Sequence, residues 1–432
     1  MKNKIKNTAL FVIFAFILGA AAGAIVWVVL KIISVGIDFI WTWIPERTGH
    51  ETLYTIGVCL VGGLIIGLYQ KKFGILPETL ETVMARLKKE GTYDYSRLHI
   101  LTIAAILPLI FGGSLGPEAG LTGLIVGLCC WIGDRFKYKI AEIRELAMAG
   151  MAATLGIIFN APLFGLINNF EGNDDEEEPP DREPVFSEKT RKVLKPVIYA
   201  ICIAGGFLTL SILKHFMGGG LGIPRFETVN DSLSIRDWIW MAVFIAAGII
   251  AGCFYVLIDK ITKDLAACIE KKRILSCLIA GGCLAAFGLI LPMTMFSGEE
   301  QMGDLMDTWM SLSAVTLLCT AVGKIVLINL CINFGWRGGN IFPLVFVGVS
   351  LGYGMVALTG ISPVLGIALT TSALCGYVMK KPLAVVGILL LCFPVVFVIP
   401  MTASAYIASL VPTPWKKNRG KNCPNRVDNE EK

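Results

Sequence analysis

The stretch GGSLGPEAG at residues 112–120 interrupts an apolar run that continues on both sides of it. Glycine favours non-helical backbone, and proline suits the first turn of a helix because its missing N–H would be unpaired there anyway. The stretch therefore predicts that one helix stops and another starts at membrane depth. Irregular backbone is tolerated there only where protein buries it or where it lines a watery cavity. Basic residues on both flanks predict a hairpin entering from the inside.

Two further breaks have the same character. GWRGGNIFP at 335–343 separates apolar segments late in the chain, and FGILPET at 73–79 precedes a short helix expected to open at Pro77 and Glu78. The free N–H groups and the positive dipole end of a helix start face outward from the helix. Several such starts that converge form an anion site without a fixed cation, which binds an anion without trapping it. Kinks that only ease helix packing are the alternative.

The composition is that of a membrane protein. Of the 432 residues, 55% are hydrophobic and 16% are charged, and the mean hydropathy is +0.69. Soluble domains carry about 25% charged residues. The lower charged fraction of this chain excludes a cytosolic enzyme, a nucleic-acid-binding protein and a disordered scaffold. The apolar run that follows the N-terminal lysines is longer than a signal peptide needs, so we interpret it as a first transmembrane helix.

Cysteine and histidine do not form a pattern typical of a metal site or a disulfide framework. The 13 cysteines lie almost wholly in apolar segments, and His50, His99 and His215 are far apart in the sequence. The sequence contains no recognisable motif that pairs a Ser, Cys or Lys nucleophile with a histidine base. We therefore predict no enzymatic activity, no metal and no cofactor.

Basic clusters between the apolar segments predict the topology, because short cytoplasmic loops collect Lys and Arg. Both termini are expected in the cytoplasm, in a multi-pass protein of the cell membrane. The chain is expected to divide into a first half at 1–171, an acidic cytoplasmic linker at 172–190, a second half at 191–411 and a basic cytoplasmic tail at 412–432.

The two halves form a weak internal repeat. Pro117 and Pro343 each follow a glycine-rich break, and Pro162 in NAPLFG and Pro382 in KKPLAV each follow a predicted helix. The charge placement gives the two copies opposite orientation. Inverted repeats with discontinuous helices are typical of transporters and channels whose ligand lies at the repeat interface. The expected fold class is an all-α polytopic membrane protein with two inverted halves and re-entrant helices.

Four segments resemble motifs of the CLC chloride channels and transporters. GGSLGPEAG resembles a variant of the GREGP element, GGNIFP the GxFxP element, ILPE the end of the GSGIPE element, and FNAPLFGL the sequence after the second element. Their order and spacing fit over nearly the whole chain. The resemblance implies chloride held by helix N-termini in a homodimer with one pore per subunit. The expected partners are thus a small anion, membrane lipids and a second copy of the chain, without nucleic acid.

The resemblance also implies the anion contacts. Gly116 and the amides after it would approach the anion from the first half, and Asn340, Ile341 and Phe342 from the second. Gly74 stands where the family has a serine that contacts chloride, so a hydroxyl is missing and the choice among small anions stays open.

Glu118 is the expected gate. The family's gating glutamate precedes the Gly-Pro pair, where this chain has Leu115, and here an acid follows the proline instead. A carboxylate inside a membrane is a functional candidate because its desolvation is costly. Glu118 could occupy the anion site when charged and leave it when protonated. The alternative is an ordinary first-turn acid that stabilises the helix dipole.

Three more side chains have open roles. Tyr406 is the nearest match to the family's C-terminal anion-contacting tyrosine, with an interfacial or packed tyrosine as the alternative. Glu171 lies beside the position of the transporters' inner, proton-carrying glutamate, but the DDEEE run after Gly172 favours a solvated loop edge. Lys324, inside an apolar segment, needs a carboxylate or backbone carbonyls as partners, or it must snorkel.

These observations predict an anion channel in which chloride or a similar small anion moves down its gradient past helix N-termini, gated by Glu118. A proton-coupled chloride or fluoride antiporter is the alternative. A membrane enzyme or a cation transporter is a third hypothesis. It would need paired acids or histidines on facing helices, and the apolar segments offer almost none.

Overall fold

The computed structural model describes residues 2–48, 51–135, 140–168, 171, 188–218, 224–227 and 235–413. Most of the predicted acidic linker and of the basic tail lies outside these residues. The α-helices of the described part are, in chain order, α1 (Lys2–Asp38), α2 (Pro45–Thr48), α3 (Glu51–Phe73), α4 (Leu80–Glu90), α5 (Leu98–Ile110), α6 (Glu118–Arg135), α7 (Ile140–Ile158), α8 (Pro162–Ile167), α9 (Glu188–Met217), α10 (Ile235–Cys268), α11 (Arg273–Ile290), α12 (Glu299–Thr308), α13 (Ala314–Asn333), α14 (Ile341–Thr359), α15 (Pro363–Met379), α16 (Pro382–Cys392) and α17 (Val398–Leu410).

The helices confirm the all-α, multi-pass membrane architecture. Among the described residues, 7 helices are long and apolar enough to cross a membrane, and further apolar helices of 10–17 residues lie between and after them. Both glycine-rich breaks occur where the sequence predicts them. Helix α6 starts at Glu118, directly after Pro117, and helix α14 starts at Ile341. The protein is therefore an integral multi-pass membrane protein with discontinuous helices.

The repeat is visible in how the helices pack. Helix α6 contacts α5 and α7 in the first half, and α14 contacts α13 and α15 in the second. Matching helices also meet across the two halves, α3 with α11 and α8 with α16. Asn160 and Lys380, each two residues before the proline that opens the next helix, both adopt a left-handed backbone with φ of 51° and 56°. These correspondences agree with the predicted fold of two inverted halves.

The packing of α9 differs from the predicted division of the chain. Helix α9 packs against α1, α7 and α8, and its counterpart α17 packs against α15 and α16. The contacts therefore group α9 with the first half, whereas the prediction placed most of this helix in the second half at 191–411. The sequence could not show this, because one apolar span fits either side of the linker equally well.

Helix α4 begins later than the predicted start at Pro77. Its first residue is Leu80, because the Thr79 hydroxyl accepts a hydrogen bond from the Thr82 backbone N–H at 3.3 Å and so caps the helix. Glu78 forms an ion pair with Arg86 at 3.0 Å instead of starting the helix. This third helix start already has a capping side chain, which leaves the two glycine-rich breaks as the framework of the site.

Candidate anion-binding site

The two glycine-rich breaks meet in the structure. The Gly116 N–H donates to the Gly339 carbonyl at 2.8 Å, and the Gly339 N–H donates to the Gly116 carbonyl at 2.7 Å. This reciprocal pair joins the loop before α6 to the loop before α14. The starts of both helices are thereby held next to each other, as expected for a site at the interface between inverted halves.

The second break is anchored to α3 and α11. Trp336 is fully buried, and its Nε1 donates to the Cys277 carbonyl at 3.0 Å. The Ser276 hydroxyl donates to the Phe334 carbonyl at 3.0 Å, and the Gln70 side-chain amide donates to the Gly335 carbonyl. Because buried backbone carbonyls need partners, these bonds fix the irregular loop inside the protein.

Glu118 places its carboxylate at the N-terminus of α14. The side chain is 1% exposed, and Oε1 accepts a hydrogen bond from the Ile341 backbone N–H at 2.7 Å. The other oxygen, Oε2, has no hydrogen-bond partner among the described residues. A helix N-terminus favours negative charge, so this carboxylate occupies the place that a bound anion would take.

Gly116 and Gly339 make room for the Glu118 carboxylate. A Cβ atom built on either glycine would overlap this group. Both glycines are therefore needed for the close approach of backbone to a negatively charged group. For Gly116 this agrees with the predicted role of a residue beside the anion.

Asn340 and Phe342 flank the Ile341 amide at the start of α14. The Asn340 side-chain amide donates to the hydroxyl of Tyr255 at 2.9 Å, and Tyr255 is 6% exposed on α10. The Phe342 ring stacks on Phe159 with centroids 4.3 Å apart. The Phe342 backbone N–H is one of the first N–H groups of α14, which have no partner within the helix. Tyr255 was missed by the sequence analysis, because no local motif links it to a loop that lies 85 residues away.

Gly74 lines open space at the C-terminal end of α3. A Cβ atom there would have nothing within 4 Å, but the backbone has φ of +92°. A serine is thus disfavoured at this position by backbone conformation and not by crowding. The missing hydroxyl predicted from the sequence has a local structural cause.

Tyr406 lies on α17, and its side chain is 54% exposed, while Glu118 is buried. This exposure fits the alternative of an interfacial tyrosine, and the anion contact of Tyr406 stays a prediction. Spacing from the motifs could suggest only a nearby tyrosine, because which face of a helix a side chain occupies depends on its tertiary neighbours.

Glu171 is not an unattached acid at a solvated loop edge, which the sequence favoured. Its two carboxylate oxygens accept hydrogen bonds from the backbone N–H groups of Leu383 and Ala384, at 2.8 Å and 2.6 Å. These amides belong to the first turn of α16. Glu171 therefore caps the start of that helix across the two halves.

Lys324 is fully buried and binds backbone carbonyls. Its Nζ lies 3.0 Å from the Met295 carbonyl and 3.1 Å from that of Phe296, with the Met293 and Thr294 carbonyls at 3.3 Å and 3.4 Å. The ammonium also lies 4.6 Å from the centre of the Phe346 ring. These contacts agree with the expectation of carbonyl partners, and they order the turn between α11 and α12.

Comparison with known proteins identifies the family. The family model for voltage gated chloride channels matches residues 62–413. A putative ion-transport protein, YfeO of Salmonella paratyphi A, is 26% identical over 350 residues, which cover 78% of each chain. The crystal structure of a CLC-type fluoride/proton antiporter matches with a TM-score of 0.74 and 18% identity, covering 96% of this chain and 97% of that one.

A second solved structure, that of a slow cyanobacterial Cl⁻/H⁺ antiporter, matches with a TM-score of 0.73 and 15% identity over 92% of this chain and 94% of that one. These similarities agree with the fold and with the motifs that resemble this family. The chain belongs to the voltage-gated chloride channel (CLC) family of anion channels and transporters.

Proposed function

We propose that this protein is a proton-gated pathway for a small anion, in which the Glu118 carboxylate and the anion compete for the N-terminus of α14. The observation that carries the proposal is the 2.7 Å hydrogen bond from the Ile341 N–H to Glu118 Oε1 inside the protein. A carboxylate and a halide need the same free N–H groups and the same positive dipole end. Only one of them can use these groups at a time.

Protonation is the step that releases the site. The proton adds to a carboxylate oxygen, for which Oε2 is the atom without a partner among the described residues. The neutral acid loses its attraction to the helix dipole and holds the Ile341 N–H less strongly, because hydrogen bonds to charged groups are the stronger ones. The side chain then leaves, and an anion takes its place. Acid is therefore expected to increase flux.

Chloride and fluoride are the substrates that we propose to test first. Backbone N–H groups and the amide–hydroxyl pair of Asn340 and Tyr255 lie at the start of α14. Partial charges of this kind attract a small anion and let it leave more readily than a full positive charge in direct contact would. With no side chain at Gly74, no side-chain hydroxyl is available at that position.

An ion-replacement flux assay with a proton readout tests the proposal. Purified protein in liposomes is loaded with chloride or fluoride, and efflux is followed between acid and neutral pH. In Glu118→Gln a neutral amide replaces a charge-assisted hydrogen bond of about 1.5–3 kcal/mol. Flux at neutral pH should then rise about tenfold or more and lose its pH dependence.

An exposed acid supplies the control for this assay. Glu270→Gln changes the same chemical group outside the site and should behave as the wild type. Unchanged flux and an unchanged pH response in Glu118→Gln would contradict the gate.

Proton-coupled anion antiport is the second candidate. Two solved structures with the same fold are described as fluoride/proton and Cl⁻/H⁺ antiporters. Coupling also needs a proton path to the other side, and Glu171 is the candidate acid for it, although the sequence favoured a solvated loop edge. Since both Glu171 oxygens accept backbone hydrogen bonds, proton exchange there would weaken two bonds. Passive conduction is for this reason our first proposal.

The proton readout separates the two candidates. An imposed chloride or fluoride gradient should drive no uphill proton movement if the pathway is passive. Uphill proton movement in the wild type that Glu171→Gln abolishes would establish antiport and make Glu171 part of the proton path.

The assembly and placement of the protein are further proposals. We infer a homodimer in the cell membrane with cytoplasmic termini and without enzymatic activity, as the family resemblance and the basic clusters imply. Cross-linking in native membranes tests the dimer, and protease access to tags at both termini tests the topology. The structure describes no group of three or more His, Cys, Asp or Glu placed to hold a metal ion, within its described ranges.

A further inference from the structure

A cavity of about 180 Å³ leads from the surface towards Glu118. Ser34 of α1 and Glu300 of α12 are exposed and lie on its wall, while Leu115 and Pro117 form buried parts of the wall. This volume has room for several water molecules. We call it the α1–α12 cavity. Leu115 and Pro117 lie on either side of Gly116, and Pro117 directly precedes Glu118.

Glu299 is a buried carboxyl group on the wall of this cavity. Its side chain is 5% exposed, and Oε1 has no hydrogen-bond partner among the described residues. A buried carboxyl oxygen without a partner is costly unless water or a proton satisfies it. The α1–α12 cavity is the space next to Glu299 from which water can do so.

The turn that carries Glu299 is fixed in place. Lys324 binds the carbonyls of Met295 and Phe296, and the Phe296 N–H donates to the Gly112 carbonyl at 3.0 Å. The turn before α12 is thereby bonded to the glycine-rich break before α6. Glu299 and Glu118 are therefore held on connected segments and not on independently moving loops.

Charged and titratable groups from several elements face Glu299. Glu118 on α6 and Glu300 on α12 repel its negative charge, and Lys214 on α9 attracts it. Lys31 on α1 lines the same cavity, and the Cys392 thiol on α16 also interacts with Glu299. A structural role, in which Glu299 only stabilises the first turn of α12, explains neither the unpartnered oxygen nor the cavity.

We propose that Glu299 exchanges protons between water in the α1–α12 cavity and Glu118. This inference rests on the proposed gating role of Glu118. A proton from cavity water adds to the Glu299 carboxylate. It then passes, directly or across a cavity water, to the Glu118 carboxylate, and Glu299 returns to its charged form. The charge on the pair rises by one when the proton enters and falls by one when it leaves.

Steps of pH applied to each side of the bilayer in turn test the relay. The rate at which anion flux rises after an acid step on the cavity side is measured for the wild type, Glu299→Gln and the control Glu270→Gln. A well-placed proton-transfer group accelerates transfer by orders of magnitude, so Glu299→Gln should slow this rise at least about tenfold. Glu270 is exposed and does not line the cavity, so Glu270→Gln should respond as the wild type. Glu299→Asp keeps a carboxyl group and should respond faster than Glu299→Gln.

The Glu118→Gln background distinguishes proton delivery from a structural effect. Glu118→Gln and Glu118→Gln/Glu299→Gln should conduct alike, because without a protonatable gate the relay has nothing to supply. A normal response in Glu299→Gln, or a further change of flux in the double variant, would overturn the relay alone. A wild type without any response to pH would overturn the proposed gate and the relay together.

Discussion

Two helix starts in the second half of the chain each receive a carboxylate from the first half, and they differ in how completely that carboxylate is bound. Glu118 at α14 is buried, and one of its oxygens accepts a hydrogen bond, from the Ile341 N–H. Glu171 at α16 is only partly buried and uses both oxygens, on the Leu383 and Ala384 N–H groups.

The difference separates a carboxylate that an anion can replace from one that holds a helix in place. A carboxylate whose two oxygens both accept backbone hydrogen bonds stabilises a helix start through its negative charge. A buried carboxylate with an unpartnered oxygen carries an uncompensated desolvation cost that a proton relieves. The same chemical pair can therefore act as a switch at α14 and as a cap at α16.

The largest expected effect comes from filling the space around Glu118. In Gly116→Val, the new Cβ would overlap the Glu118 carboxylate, and its two methyl groups extend into the place that we assign to the anion. Anion efflux should fall about tenfold or more at every pH, since overlap of this kind costs more than about 1.4 kcal/mol. Liposome efflux under acid conditions measures it.

Gly57→Val is the matched control for that experiment. A Cβ at Gly57 has nothing within 4 Å, so flux should stay at the wild-type level. An increase in flux in Gly116→Val would mean that valine displaces the carboxylate without reaching the anion. The proposal that the Glu118 carboxylate and the anion occupy the same place would then be wrong.

Glu171→Gln should act on stability and leave gating alone. The change replaces two charge-assisted hydrogen bonds at the start of α16 with weaker ones, at a cost of about 1–2 kcal/mol. We expect a lower midpoint of thermal unfolding in detergent and an unchanged pH profile of anion flux. A variant that unfolds like the wild type but loses its pH response would remove the distinction between the two carboxylates.

Tyr255→Phe should have a smaller effect, confined to the α14 site. The Asn340 side-chain amide would lose its 2.9 Å partner, which is worth about 1 kcal/mol. The anion concentration for half-maximal flux should then shift by about fivefold. Tyr69→Phe, which removes a hydroxyl bonded to the Ile100 carbonyl instead, serves as the control. Equal shifts in both variants would show that Tyr255 has no specific part in the site.

The fold could be predicted in large part because a membrane helix is recognisable from the sequence of its own segment. Apolar length gave the spans, and the prolines at 117 and 343 marked two of the discontinuous helices. The start of α4 and the grouping of α9 were less accessible. The start of α4 depends on the side-chain cap at Thr79. The grouping of α9 depends on which helices it packs against in the folded protein.

The site was only partly predictable. Glycine and proline patterns pointed to the α14 start and to Glu118, because the chemistry of a helix N-terminus is contained in a few consecutive residues. Tyr255, Glu299 and the cap by Glu171 all depend on contacts between distant segments. The Glu171 contact joins residues 213 positions apart, and no feature of either segment alone indicates it.

The reciprocal bonds between Gly116 and Gly339 have a consequence for protein engineering. The loop before α6 and the loop before α14 supply each other's hydrogen-bond partners. A chimaera that takes only one of these loops from a relative would leave main-chain groups without matching partners inside the bilayer. Chimaeras designed to exchange ion preference should therefore carry both loops together, and chimaeras with one loop should misfold more often than those with both.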